Sequence, residues 1–297
     1  MDLISLATSR RGPSLVRVLC RVLPPRAIHF LGRWIATYLA RRADLPFVRA
    51  LRTNLAVVHG LPSGHPRVRR SVARLLENTI VSYADLFRML EAGSLERGRM
   101  CELDPDMRQA IEDCLANGQG LVLVGAHMCS FDILLLGLRE VIPTVQILTN
   151  ADPKGSSKVM NRIREEQGLL VTPLSALSLR QAIDRLRHGG VVALAVDLPV
   201  ENGELLTFFG QACRLPVGHT RLALGTGARV LVGASHRVGV GEYRVEVAPA
   251  PRPESSGERR QDVNRWAQVT LHLLEGLIRQ WPEEWLMPVP VWSASGS

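Results

Sequence analysis

Lysine is nearly absent from this 297-residue chain: of its 36 basic residues only Lys154 and Lys158 are lysine, and the other 34 are arginine. Cysteine is scarce as well. Cys20, Cys101, Cys114, Cys129 and Cys213 are odd in number and never fall in C-x-x-C spacing. That argues against a disulfide framework or a thiolate zinc site and suits a reducing compartment. No apolar run is long enough for a membrane span. The longest uncharged stretch, between Asp113 and Asp132, is broken by Asn117, three glycines and His127. No secretory leader is expected either: in MDLISLATSRRG the arginines follow the apolar residues, the reverse of a leader's order. There is no G-x-S-x-G and no G-x4-G-K-[ST], which counts against an α/β-hydrolase and a P-loop NTPase. Gly118-x-Gly120 precedes a strand-like run instead of opening a helix, so it is no dinucleotide fingerprint. His188, His219, His236 and His272 lack ligand spacing and read as surface or core histidines, so no metal is expected.

What is present is a large apolar fraction, 46%, against 22% charged residues, enough for a full core. The charge is uneven. Residues 1–75 hold 14 arginines against Asp2 and Asp44, a net of +12, so the other 222 residues sum to −4. A basic N-terminal arm on a mildly acidic body points to a polyanionic partner: nucleic acid, an anionic membrane surface or an acidic carrier protein. The competing reading is a surface dressed in arginine throughout.

Residues 13–42 read as two amphipathic helices broken at Pro24-Pro25. The second carries Ile28, Leu31, Ile35, Tyr38 and Leu39 on a stripe, with Trp34 and flanking arginines, as an interfacial helix would. An ordinary helix packed on the body has the same pattern. Helical patterning continues over 45–58, 66–93 and from Asp104-Pro105 to about Asn117. Beyond it, short apolar runs alternate with helices: strands at 121–124, 145–148, 169–171, 191–196, 230–235 and 243–247, helices at 130–140, 158–167, 177–188, 217–227 and 260–280. That alternation predicts an α/β fold, a mostly parallel sheet flanked by helices. The chain divides into a helical, basic region over 1–100 and an α/β core over 101–297, together one integrated domain.

The strongest chemical candidate follows the first buried run: Gly125-Ala-His127-Met-Cys-Ser-Phe-Asp132. On one helix the five-residue spacing would separate the two side chains by about 140°. Across a strand–loop–helix junction, His127 can turn back to Asp132. A carboxylate on one imidazole nitrogen fixes the tautomer and leaves the other nitrogen to take a proton from a substrate hydroxyl. The plainer alternative is an aspartate favouring a helix N-terminus. Cys129 beside them has nothing to make it a thiolate.

The order of several segments resembles the bacterial lipid A biosynthesis acyltransferase family, the lauroyl/myristoyl transferases, and is similar to the phosphatidylinositol mannoside acyltransferases. His-x4-Asp at His127 and Asp132 matches the first motif. Arg164-Glu-Glu-Gln-Gly168 matches the second, with Arg162 a near alternative. Asp197 at a strand end, then Glu201-Asn-Gly203 and Phe208-Phe209-Gly210, matches the third. Leu215-Pro216-Val-Gly218, Thr226-Gly-Ala228, the tail Trp281-Pro-Glu-Glu-Trp285 and the helical Asn54-Leu55 extend the likeness over nearly the whole chain. Two departures, no spanning N-terminal run and Leu-Pro-Val after Asp197, weigh against lipid A itself as acceptor.

The resemblance implies a glycerolipid acyltransferase-like fold and direct transfer of a fatty acyl group from acyl-coenzyme A or acyl carrier protein to a hydroxyl of a glycolipid or related lipid. No further cofactor is implied. His127 would be general base and Asp132 its orienting partner. Arg164 would hold an anionic group. Asp197 would position a sugar hydroxyl or pair with Arg164, and Phe209 and Gly210 would bind substrate. The expected setting is peripheral, on the cytoplasmic face of the bacterial inner membrane. The expected partners are an anionic bilayer, the lipid acceptor and acyl carrier protein, with the chain a monomer and no nucleic acid bound. The interleaved aliphatic stripe favours membrane over DNA. The alternative is a non-catalytic acyl-lipid-binding protein of the same fold.

Overall fold

The computed structural model describes residues 23–91, 100–139, 141–142, 144–153 and 155–292. The first of the two N-terminal helices expected over 13–42 lies outside them. The second is α1 (Pro25–Arg41), followed by α2 (Pro46–His59) and α3 (Pro66–Glu91). Each starts with proline, where a missing N–H costs a helix nothing and the fixed φ suits it.

From β1 (Cys101–Leu103) and α4 (Pro105–Ala116) onward, strands and helices alternate. They run β2 (Leu121–Gly125), α5 (Phe131–Leu138), β3 (Val145–Thr149), α6 (Ser156–Glu166), β4 (Leu170–Pro173), α7 (Ala176–Arg187) and β5 (Val191–Ala195). The hairpin β6 (Glu204–Phe208) and β7 (Gln211–Leu215) interrupts the alternation. It resumes with α8 (Gly218–Thr226), β8 (Arg229–Gly239), β9 (Glu242–Pro249) and α9 (Arg259–Gln280), and a 3-10 turn, Pro282–Glu284, follows. Seven strands form one sheet in the order β1-β9-β8-β2-β5-β3-β4. All neighbours pair parallel except β8 with β9. This is the mostly parallel, helix-flanked sheet expected.

β2 lies at the centre, all five residues buried, because both its faces are covered. Its residues alternate between two packing layers. Val122 and Val124 face Ala182 and Leu186 of α7 and Trp266, Leu271 and Leu274 of α9. Leu121 and Leu123 face Ile133 and Leu135 of α5, Ile111 of α4 and Met89 of α3. The N-terminal helices have a third apolar cluster, built on Ala36, Leu51, Leu55, Val68 and Leu75. They are also tied to the end of the chain. The buried Asn54 amide donates to the carbonyls of Met287 and Val289 and accepts from the Val291 N–H.

α1 presents two apolar faces. Ile28, Ala36 and Ala40 pack inward, and Gly32 comes so close to Ile80 of α3 that an added Cβ would sit 3.1 Å from its Cγ2. Phe30, Leu31, Trp34 and Tyr38 point outward, Phe30 75% and Trp34 69% exposed, among exposed Arg26, Arg33 and Arg41. The inward face fits an ordinary helix packed on the body, and the outward face leaves aromatic rings and arginines exposed. Among the described residues no helix is long and apolar enough to cross a membrane.

Candidate active site

Strand register builds the site. β2 and β5 are adjacent and parallel, pairing Leu121 with Val191 through to Gly125 with Ala195. Carrying that register two residues past the strand ends sets His127 beside Asp197, at the carboxyl edge where parallel sheets place their ligands. The side chains meet: His127 Nδ1 lies 2.7 Å from Asp197 Oδ1. The carboxylate's other oxygen, Oδ2, accepts the main-chain N–H of His127 at 2.9 Å and the indole N–H of Trp285 at 2.8 Å.

Asp197 is fully buried, which by itself would raise its pKa. The facing imidazole and the three donors outweigh burial and hold it below the ordinary carboxylate range. An ionised carboxylate only accepts, so Nδ1 of His127 carries the proton. Burial alone would lower the pKa of His127. The Asp197 charge and hydrogen bond outweigh it and, with Arg164 working the other way, raise it above the usual value. The His127 side chain is still 44% exposed, and Nε2 has no hydrogen-bond partner among the described residues.

Asp132 does not fill the place expected of it. It enters the first turn of α5 and accepts Nε of Arg164 at 2.5 Å, while Arg164 Nη1 donates to Asn161 Oδ1 at 2.9 Å. Arg164 spans from α6 to α5 with its guanidinium 5.9 Å from the Phe131 ring centre, and both members of the pair are largely buried. The expected dyad thus exchanges one partner. His127 takes the neighbouring strand's aspartate, and Asp132 takes the arginine that the second motif supplies. Asp197 neither pairs with Arg164 nor stands free for a sugar. The reason is geometric. Asp132 lies beyond the turn that starts α5, whereas Asp197 leaves the adjacent strand at the same height as His127. Arg162, the near alternative, is 80% exposed and pairs with Glu166 one turn away.

Phe209 and Gly210 form the turn of the β6–β7 hairpin, with φ of 51° and 74°. A two-residue turn with both φ positive suits strand twist, and glycine takes the second position without strain. Phe209 is held in its unusual φ by an N–H bond to the Glu275 carboxylate at 2.7 Å and by Arg279, 4.7 Å above its ring. Its ring is buried and stacks on Trp285 at 6.1 Å, within a cluster that includes Phe208 and Trp292. Phe209 therefore reaches the dyad only through the packing under Trp285, and exposed Gly210 belongs to the turn.

Trp285 has no role legible from its place in the tail motif, and nothing in the sequence marks Tyr83 of α3. It lies against the Asp132–Arg164 pair, its phenol pushed up to about 12 by burial and the Asp132 charge, with Arg164 opposing. The Cys129 thiol is raised well above its usual value by burial and stays protonated, facing Thr79 Oγ1 at 3.2 Å. His188 and His272 are on the surface, and His219 and His236 are buried with no hydrogen bond to either ring nitrogen among the described residues.

Chemically, the arrangement is a histidine with one nitrogen locked to a buried carboxylate and the other open at a sheet edge. An apolar cavity of about 20 Å³ lies between α5 and the sheet, lined by Leu123, Gly125, Phe131, Leu134, Leu138 and Gly233 among others. A family model described as bacterial lipid A biosynthesis acyltransferase matches residues 14–293. The phosphatidylinositol mannoside acyltransferase of Mycobacterium tuberculosis (strain CDC 1551 / Oshkosh) is 27% identical over 279 residues, covering 92% of this chain and 85% of the relative. The protein of the same name from Mycolicibacterium smegmatis is 27% identical over 266 residues, covering 87% and 83%.

Proposed function

Because the chain belongs to the bacterial lipid A biosynthesis acyltransferase family, and is thus a lipid acyltransferase, we propose that it moves a fatty acyl group from a thioester to a hydroxyl of a phosphatidylinositol mannoside-type glycolipid. The acceptor class is that of the two relatives, both phosphatidylinositol mannoside acyltransferases. The observation that carries the chemistry is the 2.7 Å contact of His127 Nδ1 with buried Asp197, leaving Nε2 open.

In this reading Nε2 takes the proton of the acceptor hydroxyl as its oxygen attacks the thioester carbonyl carbon. Asp197 remains ionised and stabilises the imidazolium that forms. Collapse of the tetrahedral species breaks the C–S bond, and the thiolate leaves with the proton from Nε2. No acyl-enzyme is needed. Arg164, fixed by Asp132, offers its remaining N–H groups to an anionic group of acceptor or donor.

The outward face of α1 supports a peripheral seat on an anionic bilayer: aromatic rings enter the interface and the flanking arginines meet lipid phosphates. We place that bilayer at the cytoplasmic face of the inner membrane, with coenzyme A and acyl carrier protein as the two candidate thioester carriers.

The test is to incubate the purified chain with each acyl thioester and vesicles containing phosphatidylinositol mannoside, measuring thiol release and the mass of the acceptor. Release matched by a gain of one acyl group supports the proposal. Acceptor unchanged with both donors overturns it.

A further inference from the structure

Trp285 is 1% exposed, and two independent sets of contacts run from it to the dyad. The first is through its side chain, whose indole N–H donates to Asp197 Oδ2 at 2.8 Å. That bond and the His127 main-chain N–H occupy Oδ2, which leaves Oδ1 to the imidazole. The second is through the main chain. Residues 284–286 run antiparallel to 127–129, with Met128 bridged to Trp285. The Cys129 N–H donates to the Glu284 carbonyl at 2.7 Å, and the Leu286 N–H to the His127 carbonyl at 2.8 Å. The indole cannot turn away, because it is stacked on Phe209 at 6.1 Å and meets Phe208 and Trp292 edge-on.

We infer that Trp285 is a positioning residue of the acyl-transfer dyad, its indole N–H fixing the Asp197 carboxylate while its own segment fixes the loop that carries His127. The inference rests on the proposed His127–Asp197 chemistry. A buried indole N–H has to find an acceptor somewhere, and a purely structural one is satisfied by a carbonyl. Trp292 shows this, donating to the Phe208 carbonyl at 3.0 Å. Trp285 is aimed instead at the one carboxylate that holds the histidine. With its N–H removed, Asp197 keeps two of three donors. Its charge is then less dispersed, so the resting imidazole stays protonated to higher pH and less of it is free base, and the carboxylate is freer to rock. Both effects lower the rate without touching substrate.

The test compares Trp285→Phe with Trp292→Phe, which loses a buried indole bond in the same cluster but has no contact with Asp197. Both should fold, by circular dichroism, with similarly lowered melting temperatures. For Trp285→Phe, kcat should fall about tenfold to a hundredfold, the range for one hydrogen bond to a charged group. KM for both substrates should stay within about twofold, and the acid limb of the rate–pH profile should move to higher pH. Trp292→Phe should keep kcat and the acid limb. If Trp285→Phe does not fold, 3-benzothienylalanine at 285 retains the ring's shape without the N–H and takes its place. A Trp285 variant indistinguishable from Trp292→Phe in kcat and acid limb overturns the inference. An Asp197→Asn variant measured alongside separates the two failures. If it too is fully active, the dyad itself is wrong; if it is inactive, only the role of Trp285 falls.

Discussion

Replacing Asp197 by asparagine keeps the side chain's volume and changes what its atoms can accept. The carboxylate serves three donors: His127 Nδ1, the His127 main-chain N–H and the Trp285 indole. An amide has one acceptor oxygen and one NH2 group. With its oxygen on the site of Oδ1, the NH2 would point at two N–H groups. Turned over, the oxygen satisfies those two donors, and the NH2 donates to Nδ1. The second orientation wins. It holds the imidazole in the tautomer with its proton on Nε2, which cannot accept another. The folding cost is modest, about 1–3 kcal/mol for a rearranged buried hydrogen bond. The rate cost is large: about 10³–10⁴ in kcat, about 4–5.5 kcal/mol, the scale seen when a triad aspartate is amidated. Asp132→Asn removes the carboxylate charge that fixes Arg164 and leaves the hydrogen bonds of the base in place, and should lower kcat about tenfold to a hundredfold. The assay is thiol release under saturating acceptor, followed across pH. In the wild type the acid limb should stand above the ordinary imidazole value, since Asp197 raises His127. In Asp197→Asn the residual activity should show that limb moved down. Equal losses from the two variants, with the limb unmoved, would refute the reasoning and return the dyad to His127 and Asp132.

Two other outcomes follow from groups away from the dyad. Glu284 is 4% exposed, one carboxylate oxygen has no hydrogen-bond partner, and burial pushes its pKa up to about 7 despite the Arg237 N–H and charge. Its contribution to stability is full below the unfolded value and is lost as pH rises through about 7, a change of about 3 kcal/mol for a shift from 4.5. Glu284→Gln should therefore raise the urea midpoint at pH 8 and not at pH 4; equal effects at both would exclude the titration. On α1, replacing Phe30 and Trp34 by serine should weaken sedimentation with anionic vesicles by about tenfold or more per ring, leaving turnover on detergent-dispersed acceptor unchanged. Unaltered sedimentation would remove α1 from the interface.

The fold was largely legible because each long element carries its own signal. The wholly apolar run Leu121–Val124 has the pattern of a strand covered on both faces, which β2 is. Proline at 25 and 105 stands at helix starts, and glycine at 168 and 189 just past helix ends. β1 has three residues, too few for a period to show. The β6–β7 hairpin turns on Phe209-Gly210, and a phenylalanine with positive φ has no local signature; it is held there by Glu275 and Arg279, distant in sequence. The site was legible in its members and not in its pairing. His127, Asp132, Arg164 and Asp197 were all marked out by motif order. Yet spacing along one chain favours the nearest carboxylate, and the contact at 2.7 Å comes from strand register across 70 residues. Trp285 arrives from farther still, 88 residues from Asp197.

The most direct measurement is acyl transfer by His127→Ala. The variant should retain the wild-type circular dichroism and vesicle binding, and its thiol release should fall at least about 10³-fold, to the thioester's hydrolytic background. Acylated acceptor formed at a rate within about tenfold of the wild type would contradict general-base transfer by His127.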